Sequence, residues 1–222
     1  TGASADASAG SSTAPPAAGN NVVAITVDAG PEGTGYNANR LYAEVTICQP
    51  GSTSACQTID HVLVDTGSVG LRVLSSAIPA GLNLVAQVGS AGLPLLSCAQ
   101  FVDNSFAWGP VVTADVALGA KRASAVPVQV IADPAYNKLQ GACSTTGNAL
   151  TSAAILGAKG ILGVGLFQQD CGQRCTTTLA NGYYYTCSGA ACLTATRSTA
   201  SIAQQIKNPV PLFATDNNGL VI

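Results

Sequence analysis

The sequence predicts an all-β, barrel-like domain with few helices. Short runs rich in Val, Ile, Leu and Thr recur along most of the chain, and Gly and Pro mark the turns between them. Helical spacing of apolar residues is confined to short segments. The 222 residues are enough for one large or two small domains. Short strands joined by turns, with few helices, are typical of barrel-like folds.

The strands are predicted in order from residue 22 onwards. Residues 76–97 separate two groups of strands, and their weak periodicity and many Gly residues indicate a loop with one short helix. The predicted strands are Val22–Val27, Leu41–Cys48, Val62–Asp65, Leu71–Leu74, Val111–Leu118 and Val126–Ile131.

Short helices and a closing hairpin are predicted in the C-terminal third of the chain. Ser152–Leu156 predicts one turn of helix. Ser198–Lys207 has apolar residues at helical spacing, and the Asn-Pro pair that follows would end a helix there. Val210–Ala214 and Leu220–Ile222 flank an Asp-Asn-Asn-Gly turn sequence, so we expect them to form a hairpin.

The low charge of the chain excludes two classes of partner. Only 9% of the residues are charged, the net charge is -2, and the 9 Lys and Arg residues are scattered. Because nucleic acid is bound by clustered basic residues, we expect no nucleic-acid partner. No apolar stretch is long enough for a transmembrane segment.

The first 21 residues differ in composition from the rest. Residues 1–21 are mostly Ala, Ser, Gly, Thr and Pro, which predicts a low-complexity linker that cannot bury a core. The folded domain is therefore expected over 22–222. In an exported bacterial protein, such a linker would suit a tether between a membrane anchor and the domain.

The cysteines indicate an oxidising compartment. There are 8, an even number, and the only His, His61, is far from them in sequence, so disulfides are favoured over a metal site. We therefore expect no metal, and a secreted, periplasmic or cell-surface location. Local spacing favours Cys48–Cys56 and leaves Cys98 with Cys143. The other four are expected to pair among themselves and staple a Gly- and Tyr-rich loop: Cys171, Cys175, Cys187 and Cys192.

A carboxylate stands at the end of a strand that is predicted to be buried. Val62–Val64 shows no polar alternation, and it leads directly into Asp65-Thr66-Gly67-Ser68. Burying a carboxylate is costly unless it is hydrogen-bonded or shares a proton. The Thr and Ser hydroxyls and the backbone N–H groups of a tight Gly turn can supply such bonds. The alternative interpretation is that Asp65–Ser68 is an ordinary turn at the end of a strand.

This stretch resembles the active-site loop of pepsin-like aspartic proteases. Val69–Val73 looks like the strand that follows that loop, and Gly160–Leu166 is similar to the apolar Gly-rich strand beside it. Phe101–Gly119 resembles the flap hairpin and the strand after it. Cys48–Cys56, which leads into Val-Asp-Thr-Gly-Ser, also resembles uncharacterised secreted bacterial members of the superfamily. The resemblance implies one pepsin-like lobe, a double-psi-type β-barrel with short helices and disulfide-stapled loops.

The resemblance also implies a mechanism and its residues. Asp65 would be one half of a carboxylate pair that activates a water molecule, without a cofactor. Thr66 would support the loop across a lobe interface, and Ser68 would hydrogen-bond Asp65. No other Asp in the chain lies in such a loop. The second carboxylate is therefore expected from a C-terminal lobe absent from this chain, which the chain length favours, or from a second copy.

The expected flap and cleft residues depart from the pepsin pattern. Arg72 stands where Trp is usual, and Phe101 stands where Tyr is usual, so the hydrogen bond between those two side chains cannot form. Asp103 and Trp108 belong to the same expected flap region, and Trp108 is either a flap aromatic or an ordinary core residue. His61 is expected to be a surface residue at the start of a strand.

Three functions follow as expectations. The first is a hydrolase: an exported aspartic endopeptidase, or one lobe of it, that acts on peptides or proteins with an acidic optimum once a second Asp is supplied. The second is a catalytically silent pepsin-like module that binds peptides or proteins through its cleft. The third is a structural subunit of an extracellular assembly.

Overall fold

The computed structural model describes residues 19, 21–35, 38–136, 143–144, 146–179, 183–189 and 192–222. The predicted linker at residues 1–21 lies almost entirely outside the described residues. The described part is mostly β-structure, with only short helices.

Ten strands are present in the described part of the chain. They are β1 (Ile25–Asp28), β2 (Arg40–Cys48), β3 (Cys56–Asp65), β4 (Val69–Leu74), β5 (Leu95–Gln100), β6 (Phe106–Leu118), β7 (Lys121–Ile131), β8 (Gly160–Val164), β9 (Tyr184–Ser188) and β10 (Thr194–Arg197). The helices are α1 (Ala153–Leu156) and α2 (Arg174–Thr177), with 3₁₀ turns at Ser75–Ala77, Ser90–Gly92, Pro134–Tyr136 and Val210–Leu212.

Six of the strands close into a barrel, which confirms the predicted all-β, barrel-like class. Around the barrel the order is β2, β3, β8, β4, β7 and β6, and β6 pairs again with β2. The pairs β3–β8 and β4–β7 are parallel, and the other neighbours are antiparallel. Strands β5, β9 and β10 extend the sheet beyond β6, and β1 lies beside β2.

The largest apolar core cluster takes residues from every barrel strand. Val45, Val62, Leu71 and Val128 are each fully buried in this cluster. Burial of the apolar side chains of all six strands in one cluster is the main stabilising term of such a barrel. The closed barrel also leaves none of these six strands with an unpaired edge.

Four disulfides join all eight cysteines. The pairs are Cys48–Cys56, Cys98–Cys143, Cys171–Cys175 and Cys187–Cys192, in agreement with the expected pairings. The last four cysteines pair locally, so each pair closes a short loop. Disulfides on this scale fit an extracellular or secreted protein. Among the described residues, no helix is long and apolar enough to cross a membrane.

Two of the predicted C-terminal elements are wrong. Ser198–Lys207 is not a helix, because the side chain of Gln205 bonds the backbone of Gly172 and Ala200 and holds the segment in turns. The expected hairpin is also absent: Val210–Leu212 is a 3₁₀ turn that follows Pro209 and contains Pro211, and 220–222 forms no strand.

Candidate active site

The loop that carries Asp65 connects two strands that both pair with β8. Asp65 is the last residue of β3, and β4 begins at Val69. Strand β8 lies between β3 and β4, and its Gly163 is opposite Asp65 on one side and Gly70 on the other. The backbone N–H of Gly67 donates to Asp65 Oδ1 at 2.8 Å. This hydrogen bond closes the turn and fixes the position of the carboxylate.

The glycines of β8 allow the backbone to approach the Asp65 loop closely. A Cβ atom on Gly163 would lie 2.7 Å from backbone atoms of Val69, which is closer than any real side chain allows. A Cβ atom on Gly165 would lie 2.8 Å from the carbonyl oxygen of Ser68, to which the Gly165 N–H itself donates at 2.9 Å. The Gly-rich segment therefore follows the shape of the loop.

An open cleft of about 570 Å³ lies over this loop. Its walls include Asp65, Gly67, Ser68, Arg72 and Phe101, so these five residues that the sequence predicted for the site lie together. Additional lining residues that the sequence did not predict are Phe167, Asp170 and Tyr183.

A buried ion pair forms part of the cleft wall. Arg72 Nη2 donates to Asp170 Oδ2 at 3.2 Å, and the two side chains are only 4% and 7% exposed. The hydroxyl of Tyr184 donates to Asp170 Oδ1 at 2.6 Å and accepts from the N–H of Ile206 at 2.8 Å. Arg72 Nη1 also donates to Gln129 Oε1 at 2.6 Å.

Burial controls the titration of the groups in this network. Burial raises the pKa of Asp170, although the neighbouring Arg72 and Tyr184 act in the opposite direction. Burial also raises the pKa of Tyr184 well above its usual value, and the nearby Asp170 carboxylate raises it further. Tyr184 therefore stays protonated and keeps donating to Asp170.

Two residues of the predicted catalytic loop, Thr66 and Ser68, lie in different surroundings. Thr66 is exposed and faces a separate groove of about 570 Å³, whose walls include Leu166 and Leu220. The hydroxyl of Ser68 is buried and has no hydrogen-bond partner among the described residues, so the expected bond from Ser68 to Asp65 is not formed.

Two residues of the expected flap region lie away from the cleft. Asp103 accepts hydrogen bonds from the hydroxyl and N–H of Ser105 at 2.6 and 2.9 Å, and these bonds lower its pKa. Trp108 is 4% exposed, packs against Tyr185 with ring centroids 5.3 Å apart, and donates to the Tyr136 carbonyl. Asp103 thus stabilises a tight turn, and Trp108 is a core aromatic.

His61 lies within β3 rather than at the start of a strand. Its Nδ1 is 2.9 Å from Asp60 Oδ2, and its Nε2 is 3.0 Å from Asp28 Oδ2. Burial acts to lower its pKa, but the bonds to the two carboxylates outweigh burial and raise it. His61 does not line the cleft, and this cluster instead connects β1 to the barrel.

Asp170 is the acidic residue of the cleft wall that the sequence did not predict. It follows the Gly-rich strand β8 and immediately precedes Cys171, in a segment without periodicity. The sequence feature that could have indicated Asp170 is an isolated acidic residue shortly after an apolar strand and next to a cysteine. Among the described residues, no three His, Cys, Asp or Glu side chains are grouped closely enough to hold a metal ion.

Comparison with known proteins gives a family but no named activity. No curated protein matches the chain. One family model, described as "Protein of unknown function (DUF3443)", matches residues 17–222, which include every strand of the barrel and the whole Asp65 loop. The chain therefore belongs to the DUF3443 family.

Proposed function

We propose that this chain is a pepsin-like lobe of an exported aspartic endopeptidase, in which Asp65 supplies one carboxylate of a water-activating pair. The observation that carries the proposal is the position of Asp65. It ends β3, its loop is closed by the Gly67 N–H, and it lies on the wall of an open cleft.

The strand pairing of the barrel supports the same assignment. Strands β3 and β8 are parallel, β4 and β7 are parallel, and β8 and β4 are antiparallel neighbours between them. This arrangement fits a double-psi-type barrel, the fold that the resemblance to pepsin-like proteases implies. The close approach of Gly163 and Gly165 to the Asp65 loop fits the role expected for the Gly-rich strand.

The dimensions and walls of the cleft suit a peptide substrate. Strands β5 and β6 form an antiparallel hairpin, and its turn brings Phe101 and Val102 to the cleft wall. Phe101 and Phe167 offer aromatic surface on which apolar parts of a peptide can pack. The hairpin thus has the position of a flap, without the hydrogen bond that a Tyr would supply.

The second carboxylate must come from outside the described part of this chain. Asp170 is the other acid on the cleft wall, but Arg72 and Tyr184 already bond both of its oxygens. The surface beside the Asp65 loop exposes large apolar side chains: Leu166 is 101% exposed and Phe167 is 72% exposed. An apolar surface at this place suits a partner, either a C-terminal lobe or a second copy.

The chemistry of such a pair follows from electrostatics. Two carboxylates that lie close together cannot both ionise, so they share one proton and titrate as a pair. The ionised member takes a proton from water, the water oxygen attacks the peptide carbonyl, and the protonated member donates to the carbonyl oxygen. The C–N bond then breaks as the carbonyl re-forms, and the leaving amine takes a proton from the carboxyl pair. We therefore expect activity at acidic pH.

The test is proteolysis of unfolded casein between about pH 3 and pH 7 by this chain and by the complete gene product, with the mass of each species measured. The Asp65→Asn variant should lose activity by at least about 1000-fold. The matched control is Asp133→Asn, because among the described residues the Asp133 carboxylate accepts only from the Ala135 N–H, and it does not line the cleft.

The outcomes separate the sources of the second carboxylate. Activity in a species of doubled mass would assign the second Asp to a second copy, and activity in the complete gene product alone would assign it to a further lobe. Activity that survives Asp65→Asn would overturn the proposal. Inactivity of both species would favour the silent peptide-binding module, for which the absence of a bond between Ser68 and Asp65 is the supporting observation.

A further inference from the structure

The Arg72–Asp170 pair has no task in the proposed carboxylate chemistry, although it lies on the cleft wall. A buried ion pair of this kind usually contributes no more to stability than apolar residues of the same size, because both charges lose their hydration. Its position beside Asp65 therefore calls for a role in the cleft rather than in the core.

Hydrogen-bonding capacity is left over in the Arg72–Asp170 pair, whose two residues line the cleft. Arg72 Nε is buried and has no partner among the described residues. The remaining contacts of Arg72, to Ser97 Oγ and to the Val69 carbonyl, are both 3.5 Å long, at the limit for a hydrogen bond. Each oxygen of Asp170 accepts one bond from another residue in the described part of the chain, whereas a carboxylate can accept about four in total.

The pair thus offers spare donors from a guanidinium and spare acceptors from a carboxylate within one neutral unit. A side-chain carboxamide has the matching groups, because its oxygen accepts and its NH₂ group donates. We propose that Arg72 and Asp170 form a substrate subsite that selects Gln or Asn in the bound peptide. This inference rests on the proposed peptide substrate and adds its specificity.

The neutrality of the pair disfavours charged side chains. A Glu or Lys side chain that contacted this nearly buried ion pair would lose its hydration. Its attraction to one member of the pair would be offset by repulsion from the other. An apolar side chain such as Leu would leave the spare donors and acceptors without partners. The apolar walls from Val69 and Phe101 can cover the methylene stem of Gln.

The experiment measures equilibrium binding of fluorescent peptides to the Asp65→Asn protein, so that binding is read without turnover. A set of otherwise identical neutral peptides carries Gln, Leu, Glu or Lys at a single position, which is moved along the peptide. At one position, the Gln peptide should bind about tenfold more tightly than each of the others.

Charge variants give the sharper result, because their effects have opposite signs. Asp170→Asn leaves the Arg72 charge uncompensated, so the preference should shift towards Glu. Arg72→Gln removes the cation that lowers the pKa of Asp170, so the preference should shift towards Lys when binding is measured at alkaline pH, where the Asp170 carboxyl is ionised. The double variant is neutral again and should lose both shifts. Asp133→Asn, outside the cleft, should keep the original ranking.

A ranking without a Gln preference, or shifts of the same sign in the two charge variants, would overturn the inference. If one single variant fails to fold, the ranking in the Asp65→Asn protein and the sign in the other variant still decide. Selective binding without cleavage by either the Asp65-containing chain or the complete gene product would keep the subsite and overturn the proposed protease. Cleavage without side-chain preference would support the proposed protease and overturn the subsite.

Discussion

Asp65 and Gly163 lie directly opposite each other across the parallel pair of β3 and β8. The carboxylate loop therefore rests against a strand position that has no side chain. This relationship connects the chemistry of the loop to the packing of a strand that is almost 100 residues away in sequence, and it leads to the first prediction.

Replacing Gly163 by Ala should destabilise the fold and disturb the Asp65 loop. The added Cβ would lie 2.7 Å from the backbone of Val69, and its nearest neighbours are all backbone atoms of Val69 and Gly70, which leave little room to move. We expect a loss of about 1–3 kcal/mol in the free energy of unfolding, measured with urea. The control is Gly81→Ala, which meets nothing within 4 Å and should change stability little. Equal stability of both variants would contradict the close packing.

Replacing Tyr184 by Phe should destabilise the protein by about 1–3 kcal/mol. The hydroxyl of Tyr184 is a donor to Asp170 and an acceptor for the Ile206 N–H, and both partners would be left buried and short of a bond. Tyr183→Phe is the matched control, because the Tyr183 side chain is 42% exposed and its change should lie within about 0.5 kcal/mol. Thermal or urea unfolding of the two variants measures the difference.

Asp115 should be among the acids most important for stability. It is 3% exposed, and its carboxylate accepts from the N–H groups of Gly51 and Ala125 at 3.0 and 2.8 Å and from Arg122 at 2.9 Å. Asp115→Asn should lower the free energy of unfolding by about 3 kcal/mol, because it leaves Arg122 without its charge partner.

The pH dependence of Asp115 gives a second check. Burial acts to raise its pKa, but the bonds from Ala125, Arg122 and Gly51 outweigh burial and lower it. Its contribution is therefore present above the usual value of 3.8 and is lost as the pH falls through the lowered pKa. The stability gap between wild type and Asp115→Asn should shrink in strong acid. A gap that stays constant would contradict this prediction.

His61 should stabilise the protein at acidic and neutral pH more than at alkaline pH. Its pKa is raised above 6.5 by bonds to Asp60 and Asp28, which outweigh burial. The contribution is therefore complete below about 6.5 and is lost as the pH rises through the higher folded-state pKa. The test compares the stability of wild type and His61→Asn from pH 5 to pH 9. Asn tolerates the positive φ of 50° at this position, so the backbone is preserved.

A difference between the wild-type and His61→Asn proteins that does not change with pH would show that His61 acts through packing alone. Hydrogen exchange of the β1 amides gives an independent measurement, because Asp28 at the end of β1 is one of the two partners. Protection of β1 should fall at alkaline pH in the wild-type protein and should change less in the variant.

The barrel strands were predictable because their apolar runs are long and bounded by turns. The strand Arg40–Cys48 extends the predicted Leu41–Cys48 by one residue, and Lys121–Ile131 contains the predicted Val126–Ile131 but begins five residues earlier. Strands β9 and β10 were not predicted, since β9 contains Cys187 and β10 follows Cys192 in a sequence rich in Gly, Thr and Tyr, where the local pattern is weak.

The site was predictable where one segment carries it and not where distant segments meet. The loop from Asp65 to Ser68 was found from its own residues, and Arg72 and Phe101 followed from the resemblance. Asp170 lies 98 residues beyond Arg72, and its role depends on a contact that no local pattern encodes. The helix predicted at Ser198–Lys207 failed for a similar reason, because tertiary bonds from Gln205 override the apolar spacing.

The segment that contains Ile206 and Lys207 contacts β4, and this contact affects when the Asp65 loop is completed during synthesis. The N–H of Leu71 donates to the carbonyl of Lys207, and Ile206 packs over Gly70, just beyond the Asp65 loop. A nascent chain carries Asp65 early but acquires this cover only when residue 207 has been synthesised. Folds that are rich in contacts of long sequence separation also fold slowly. The Asp65 loop therefore lacks part of its finished surroundings until residue 207 has been made, and a chain terminated before that point would carry Asp65 in an unfinished loop.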